Sequence, residues 1–325
     1  MKTPPRLLGF ALGLLAFAAC AHAAQDLARK KILFFTKSSG YEHDAIKLQM
    51  RDGRPGYAFG VLKELGEKNN IEFTFSKDGS LFSPEYLAQF DAFMFYTTGD
   101  LTLAKNSETL GDGNPPMTAD GKAALFKAIE GGKGFVGVHS AADTFHSPGN
   151  KNDNTPERYV SDGAKVDAYI RMMGGEFIKH DAQQPARQIV ADKKFPGMAE
   201  VPEDFGPAEE WYSLKNFAPD MHVLLVQDTS KMKGASYERA PYPSTWARTQ
   251  GKGRVFYTSM GHREDVWKNP VFQAVLLNGI NWSTHRIEAD VKPNLEAVAP
   301  QANALPKFPQ PSAPRAPAPA PAATK

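Results

Sequence analysis

The amino-acid sequence predicts an α/β protein with a doubly wound, mainly parallel sheet and antiparallel β additions in its second half. Short apolar strands alternate with helical patterns as far as residue 138, which is the signature of parallel strands joined by helices. Most of these strands are apolar throughout, as expected for a sheet buried on both faces. Beyond about residue 187, strand patterns follow one another without room for helices between them.

The first half of the chain contains four predicted strands separated by three predicted helices. The strands are expected at 31–36, 71–75, 91–96 and 134–138, and the second, which alternates with polar residues, is expected near a sheet edge. The helices are expected at 57–68, at 83–90 and at 118–129. Ser83 and Thr118 are their predicted N-caps, and Pro84 suits the first helical position.

The second half is less regular, and its elements are predicted from shorter patterns. A helix is expected at 164–173, ended by two glycines, and a closing amphipathic helix at 269–282, with Pro270 in its first turn. Strands are expected at 187–190, 210–214, 222–227, 244–248 and 254–259. Their close spacing predicts antiparallel pairing.

Residues 1–24 have the pattern of a secretory signal peptide, in which Lys2 and Arg6 precede an apolar run at 7–19 and small residues follow. The run is too short for a stable membrane span. We therefore expect a periplasmic or secreted protein without a membrane span. Cys20 lies in a weak lipoprotein motif, which leaves a lipid anchor as an alternative. After ordinary cleavage the mature chain has no cysteine, which excludes disulfides and thiol chemistry.

Composition limits the partners and bounds the domain. The chain has 325 residues, of which 42% are hydrophobic and 23% charged, and its net charge is +2. These are ordinary globular values, and the absence of a basic stripe predicts no nucleic-acid partner. Residues 297–325 are rich in proline and alanine and are predicted to be a disordered tail. Residues 30–285 remain as one α/β domain.

Polar loops follow several predicted strands of this domain. His43 follows the first strand, Thr98 and Asp100 follow the third, a His-Ser pair at 139–140 follows the fourth, and His262 follows the last. The carboxyl ends of parallel strands share one edge of a sheet, which is where such proteins bind ligands. We therefore predict a site at this edge. The alternative is a polar rim on which histidines fall by chance.

His139 is the best catalytic candidate, because it ends a buried strand within the frame G-x-H-S-A. A histidine there suits a general base or a metal ligand, whereas the plainer interpretation is a histidine that only shapes the turn. His43 is a second candidate base. Asp143 is predicted to orient an imidazole, or else to cap the following turn. Ser140 lacks the G-x-S-x-G frame of a nucleophile.

Other side chains are predicted to bind substrate at this edge through hydrogen bonds or stacked rings. Trp211 and Trp246 suit sugar faces, although core packing is the usual role of a lone tryptophan. The four histidines at 43, 139, 180 and 262 are candidate metal ligands, but they lack the H-x-x-x-H or H-E-x-x-H spacing of a metal-binding motif. We therefore predict no metal or other cofactor, with a divalent metal as the alternative. The predicted substrate contacts are Thr98, Asp100, Ser140, His180, Trp211, Trp246 and His262.

Six sequence blocks resemble ThuA-like (trehalose-utilisation) proteins over roughly residues 30–284. They are ILFFT at 32–36 with His43, YTTGD at 96–100, GKGFVGVHSAADTF at 132–145, GGEFIKH at 174–180, EEWYSL at 209–214 and STWARTQGKGRVFYTSMGH at 244–262. The resemblance implies a class I glutamine amidotransferase-like fold. In amidotransferases the matching turn carries a cysteine nucleophile, and here that position resembles His139, so glutamine hydrolysis is excluded.

The resemblance also implies carbohydrate chemistry, particularly on routes through 3-keto sugars. We therefore expect an exported carbohydrate-active enzyme that performs acid/base chemistry on disaccharides or 3-keto-glycosides and uses a small sugar as substrate. A ketone acidifies the neighbouring C–H bond, so an imidazole base would suffice without the paired carboxylates of ordinary glycosidases. Two alternatives remain open: a non-catalytic periplasmic carbohydrate-binding protein, and a metal-dependent hydrolase that uses the histidines.

Overall fold

An eight-stranded sheet forms the centre of the structure, which is a computed structural model that describes residues 28–105, 107–108, 110–149, 158–161 and 163–306. The predicted signal peptide and Cys20 lie outside these residues. Two small two-stranded sheets complete the set of described strands. In chain order the strands are β1 (Lys30–Phe35), β2 (Ile71–Ser76), β3 (Ala92–Phe95), β4 (Gly134–Val138), β5 (Glu176–Lys179), β6 (Gln184–Pro185), β7 (Gln188–Val190), β8 (Ala208–Glu209), β9 (Ser213–Lys215), β10 (His222–Gln227), β11 (Tyr242–Gln250) and β12 (Gly253–Thr258).

Helices join these strands much as the hydrophobic pattern predicts. Ser83, Thr118 and Asn269 each accept a backbone N–H at a helix start, as N-cap residues do. The described α-helices are α1 (Tyr57–Asn69), α2 (Pro84–Ala88), α3 (Ala119–Glu130), α4 (Ala168–Met173), α5 (Glu264–Trp267), α6 (Pro270–Ser283) and α7 (Leu295–Val298). Among the described residues, no helix combines the length and the apolar character needed to cross a bilayer.

The strand order of the large sheet is β2-β1-β3-β4-β12-β11-β10-β7. The first five strands are parallel, and β11, β10 and β7 extend the sheet by antiparallel pairing. This arrangement confirms the predicted fold class, including the antiparallel additions. Strand β2, which was expected near an edge from its polar alternation, is the outer strand on one side.

Helices cover both faces of the sheet. Because successive residues of a strand face opposite sides, neighbouring residues of β1 belong to two different cores. Leu33 and Phe35 belong to one core cluster, together with residues of α3 and α4. Ile32 and Phe34 belong to the other, together with residues of α1 and α6. Burial on both faces is the physical reason that these strands are almost continuously apolar in sequence.

Local differences from the prediction occur in the second half. Helix α4 begins at Ala168 with Asp167 as its cap, four residues later than expected. The strand expected at 210–214 is divided between β8 and β9, and residues 210–212 lie in neither. This interruption leaves Glu210 outside both ladders, and its side chain lies among the histidines described below.

Folded structure also continues beyond both predicted boundaries, residue 285 for the domain and residue 297 for the start of the tail. Helix α7 and the turn after it pack on the domain, where Ala299 and Ala302 are buried. The Asn303 side chain bonds the backbone N–H and carbonyl of Phe217. Tertiary contacts therefore order a segment whose composition favoured disorder. The rest of the predicted tail, 307–325, lies outside the described residues.

Two glycine-to-alanine substitutions should have opposite effects on stability. A Cβ at Gly137 in β4 would lie 2.9 Å from Cδ2 of Tyr257 and 3.3 Å from Cβ of Ala141. We expect Gly137→Ala to lower the free energy of unfolding by about 1–3 kcal/mol through overpacking. Gly60 is exposed in α1, and an added Cβ meets nothing within 4 Å. Gly60→Ala should therefore raise the free energy of unfolding by about 0.5–1 kcal/mol.

Urea unfolding of the two variants beside the wild type checks this pair. Equal effects of the two substitutions would contradict the packing described for β4.

Candidate functional site

His139 is held at the carboxyl end of β4 in an uncommon backbone conformation. It begins a 3-10 turn (His139–Asp143) with φ 45°, in the left-handed region that few non-glycine residues adopt. The hydroxyl of Tyr257 donates to its carbonyl oxygen at 2.8 Å. Its ring Nδ1 donates to the carbonyl oxygen of Ser259 at 2.9 Å. Tyr257 thus holds the backbone of His139 and Ser259 holds its ring, which leaves Nε2 to face the carboxylate of Glu210.

His262 is brought beside His139 by the pairing of β12 with β4, in which Thr258 lies opposite Val138. The buried Glu209 carboxylate then fixes the loop, since one of its oxygens accepts the N–H of Gly261 at 2.8 Å and of His262 at 3.1 Å. Burial raises the pKa of Glu209 to about 7 despite these backbone donors. The hydroxyl of Tyr57 donates to the His262 carbonyl.

His43 completes a group of three imidazoles. Its ring centroid lies 5.0 Å from that of His139 and 5.3 Å from that of His262, and the other two are 5.3 Å apart. His43 and His139 are buried, whereas the His262 side chain is 20% exposed. The structure therefore brings together the three histidines that the sequence placed after different strands.

Glu210 lies in the middle of this group and was missed at the sequence level. Its Oε2 is 3.8 Å from Nε2 of His43, 3.5 Å from Nε2 of His139 and 3.1 Å from Nδ1 of His262. Its Oε1 is 3.6 Å from Nε2 of His180. The signals in the sequence were a pair of adjacent acidic residues at the start of a predicted strand and their place in the EEWYSL block at 209–214. We call His43, His139, Glu210 and His262 the histidine pocket.

Burial sets the protonation of the pocket. It lowers the pKa of His43 to about 4 and also lowers that of His139, so both rings are neutral at pH 7. Burial works against the charge of Glu210 as well, but the facing imidazoles hold its pKa well below the usual range. Because Nδ1 of His139 carries the proton, its Nε2 presents a lone pair toward a carboxylate. Two such groups attract only through a proton or a cation placed between them.

The spacing of the pocket suits a metal ion as well as a proton. The four ligand atoms all lie within 4.8 Å of one another. A tetrahedral ion with ligand distances near 2.1 Å separates its ligand atoms by about 3.4 Å. The three imidazole nitrogens lie 3.1–3.8 Å from the Glu210 oxygen, which is close to this value. Neutral imidazoles and one carboxylate are also suitable ligands for divalent transition metals.

Gln183 and Arg263 control the outer nitrogen of His262. Arg263 donates to Oε1 of Gln183 at 2.8 Å, which directs the amide nitrogen toward His262. That nitrogen is 3.0 Å from Nε2 of His262 and acts as a donor to it. A neutral His262 ring therefore carries its proton on Nδ1, facing Glu210.

Asp143 contacts the imidazole of His146. Its Oδ1 lies 2.6 Å from Nε2 of His146, and the buried Glu176 carboxylate lies 3.2 Å from Nδ1 of the same ring. Burial opposes a charge on His146, but the two carboxylates outweigh burial and raise its pKa. His146 thus lies between two carboxylates that favour its charged form. These contacts turn Asp143 toward His146 and not toward His139 or His43, and its catalytic role stays a prediction.

The remaining predicted contacts divide between the pocket and its supports. His180 borders the pocket through Glu210. Thr98 donates to the carbonyl of Tyr41 at 2.8 Å, and Asp100 accepts the N–H and hydroxyl of Thr102, so both organise loops. Ser140 is buried, and its hydroxyl has no hydrogen-bond partner within the described chain.

Trp211 and Trp246 do not have the positions predicted for sugar-stacking residues. Both are fully buried, and their indole N–H groups donate to the carbonyls of Gln184 and Met173. Trp246 also packs on Tyr257, with ring centroids 4.3 Å apart. No face of either ring is open to a ligand, so the plainer interpretation of these residues, core packing, is correct.

The fold and this pocket define an α/β protein with a histidine-rich site at the carboxyl edge of a mainly parallel sheet. The ThuA family, described as trehalose utilisation, matches residues 31–283, and the chain belongs to this family. A search of curated proteins gives no match.

Two solved structures have a similar fold. A ThuA-like protein from Bacteroides uniformis ATCC 8492 is 20% identical with a TM-score of 0.55, and the match covers 79% of this chain and 92% of that one. A ThuA-like protein from Parabacteroides merdae ATCC 43184 is 16% identical with a TM-score of 0.52, over 81% and 92%. At this identity the likeness concerns the fold, which agrees with the class I glutamine amidotransferase-like expectation.

Replacement of His146 should destabilise the protein more at acidic than at alkaline pH. The raised pKa means that the imidazolium contributes fully below about pH 6.5, the ordinary histidine value, and that this contribution is lost as the pH rises through the raised pKa. We expect His146→Gln to cost about 3 kcal/mol at pH 5.5, as for a broken buried ion pair, and less at pH 9.

Urea unfolding of both proteins at the two pH values measures this difference. A cost that does not change with pH would mean that His146 is neutral in the folded protein.

Proposed function

We propose that the protein is an exported carbohydrate-active enzyme that transfers protons at the histidine pocket, with a disaccharide or a 3-keto-glycoside as substrate. The observation that carries the proposal is the convergence of two buried, neutral imidazoles on one carboxylate. The trehalose-utilisation description of the family supports the substrate class. Export rests on the signal-peptide pattern of residues 1–24.

The proposed reaction begins with proton abstraction from the carbon between the ketone and the anomeric centre. Nε2 of His139 holds a lone pair and a neutral ring, as a general base requires. The electron pair of the C–H bond forms a carbon–carbon double bond as the glycosidic C–O bond breaks. The leaving oxygen then takes a proton, which we assign to Nδ1–H of His262, the nitrogen that faces Glu210 on the partly exposed imidazole of the pocket.

Glu210 would assist this reaction by stabilising the charge that forms on the rings. A proton taken up by His139 creates an imidazolium 3.5 Å from the carboxylate. In a buried site this interaction is stronger than in water, because little solvent screens it. His43, whose Nε2 lies 3.8 Å from the same oxygen, could share the proton. We therefore assign the acid/base work to His139 and His43, with Glu210 as their counterion.

A metal-dependent hydrolase is the second candidate, and the spacing of the ligand atoms favours it. His43, His139, His262 and Glu210 would hold the ion. A divalent metal would polarise a sugar carbonyl or activate a water molecule. In this case Nδ1 of His262 must give up its proton to become a ligand, and the neighbouring amide of Gln183 must turn. The substrate class stays the same under this candidate.

His139→Asn should abolish most of the activity without unfolding the protein. Asparagine tolerates the left-handed conformation of residue 139 but is not a base. We expect kcat/KM on a 3-keto-disaccharide to fall by about 100-fold or more. His285→Asn is the matched control. His285 also has a positive φ, of 57°, and it lines a different cavity, one that includes no residue of the histidine pocket.

The assay follows product formation by the mature protein and both variants. Unchanged turnover in His139→Asn would reject the assigned role of this residue. Sugar affinity without any product from the wild type would favour a binding protein instead.

Chelation and metal analysis separate the two chemical candidates. Under the acid/base mechanism, the protein purified without added metal keeps its activity after dialysis against a chelator. Under the metal mechanism, activity is lost and returns with a stoichiometric divalent ion, and elemental analysis finds about one ion per chain, which Glu210→Gln should remove. Activity that resists chelation in a metal-free sample would exclude the metal-dependent hydrolase.

A further inference from the structure

A groove of about 940 Å³ adjoins the histidine pocket on its open side. Its volume is within the range of small-molecule sites. It shares His262 with the pocket and extends past it, along the loop after His43, the start of α1 and the short helix α5. Its lining is Tyr41, Asp44, Lys47, Met50, Arg51, Asp52, Arg54, Tyr57, Gln183, His262, Arg263, Glu264, Asp265 and Lys268.

The lining of the groove suits a polar, uncharged ligand. Its charged side chains neutralise one another in pairs, such as Arg54 with Asp52 at 2.8 Å and Lys268 with Glu264 at 2.7 Å. Five cationic side chains face four carboxylates among the described lining residues, so the groove has little net charge to select an anion. Met50 is the one aliphatic side chain among them, which disfavours an apolar ligand. Cationic groups that donate hydrogen bonds, next to carboxylates that accept them, suit a ligand with hydroxyl groups on adjacent carbons.

Tyr41 supplies the aromatic surface that the buried tryptophans cannot supply. Its side chain is held at the groove although the residue is 55% exposed. Thr98 bonds its carbonyl, and its ring meets His43 edge to face, with centroids 5.0 Å apart and planes at 86°. A large exposed ring with fixed backbone, next to a polar groove, suits stacking on the apolar face of a sugar.

The groove also makes contact with the reacting groups through Gln183 and Arg263. Both line the groove, and Gln183 donates to Nε2 of His262. A ligand in the groove therefore lies against the residues that orient the proposed acid. Arg51 adds a cationic donor for which no ion pair or hydrogen bond is found within the described chain.

We propose that this groove is a second sugar subsite, in which the ring beyond the reacting one stacks on Tyr41 and receives hydrogen bonds from Arg51 and Arg263. This inference rests on the proposed carbohydrate function and adds that the ligand has at least two sugar rings. The protein then distinguishes a disaccharide from a monosaccharide at the groove and not at the histidines.

Calorimetric titration of the mature protein with trehalose and with glucose tests the subsite, because the two probes differ by one ring. We expect Tyr41→Ala to weaken trehalose binding about tenfold and glucose binding less than twofold. Tyr41→Phe keeps the ring and should restore trehalose affinity. Arg51→Ala should weaken trehalose about threefold, whereas Arg29→Ala, an exposed arginine paired with Glu72 elsewhere, should change neither affinity.

The outcomes separate this inference from the proposed function. Trehalose affinity that is unchanged in Tyr41→Ala would overturn the subsite, and so would equal losses for trehalose and glucose. Absence of trehalose binding to the wild type would also overturn it. The proposed function fails on a different result, unchanged turnover in His139→Asn, so either idea can fail while the other stands.

Discussion

The pairing of β4 with β12 is the constraint on which the site depends. These strands are far apart in sequence, but their parallel register sets Val138 beside Thr258. The chain therefore leaves the sheet twice at neighbouring points. His139 follows β4 directly, and His262 follows β12 after the short segment 259–261. The bond from Nδ1 of His139 to the carbonyl of Ser259 joins the two turns. A change in register would separate the two rings and leave the left-handed turn at His139 without this support.

Burial gives these rings their chemical character. Imidazoles at the surface would titrate near neutral pH, whereas desolvation keeps His43 and His139 neutral and their lone pairs available. The cost is that the buried Nε2 of His139 faces the Glu210 carboxylate without a hydrogen between them. Natural structures rarely leave buried polar atoms in this state unless a ligand, ion or proton completes them. This unpaired nitrogen thus lies where a reacting group would enter.

The sequence predicted the sheet better than it predicted the site. Apolar strands and capped helices have local causes, so their order, the edge position of β2 and the cap at Thr118 agree with the structure. The histidines were also found, because each follows a strand. The tryptophans show the limit: residue type cannot tell a core ring from a ligand platform, and Trp211 and Trp246 are both in the core. The exposed aromatic ring beside the histidine pocket is that of Tyr41, which lines the adjoining groove.

The sequence by itself determined the alternation of strands and helices, the family and the residues at the carboxyl edge, because periodicity and strand ends are written locally. Only the tertiary structure decided three other features. The Glu210 carboxylate lies among the histidines, the Asp143 carboxylate contacts His146, and the turn after α7 packs on the domain. Each of these depends on contacts between segments distant in the chain. Such contacts are set by how the sheet packs and by which charges it buries together, and no short stretch of sequence contains that information.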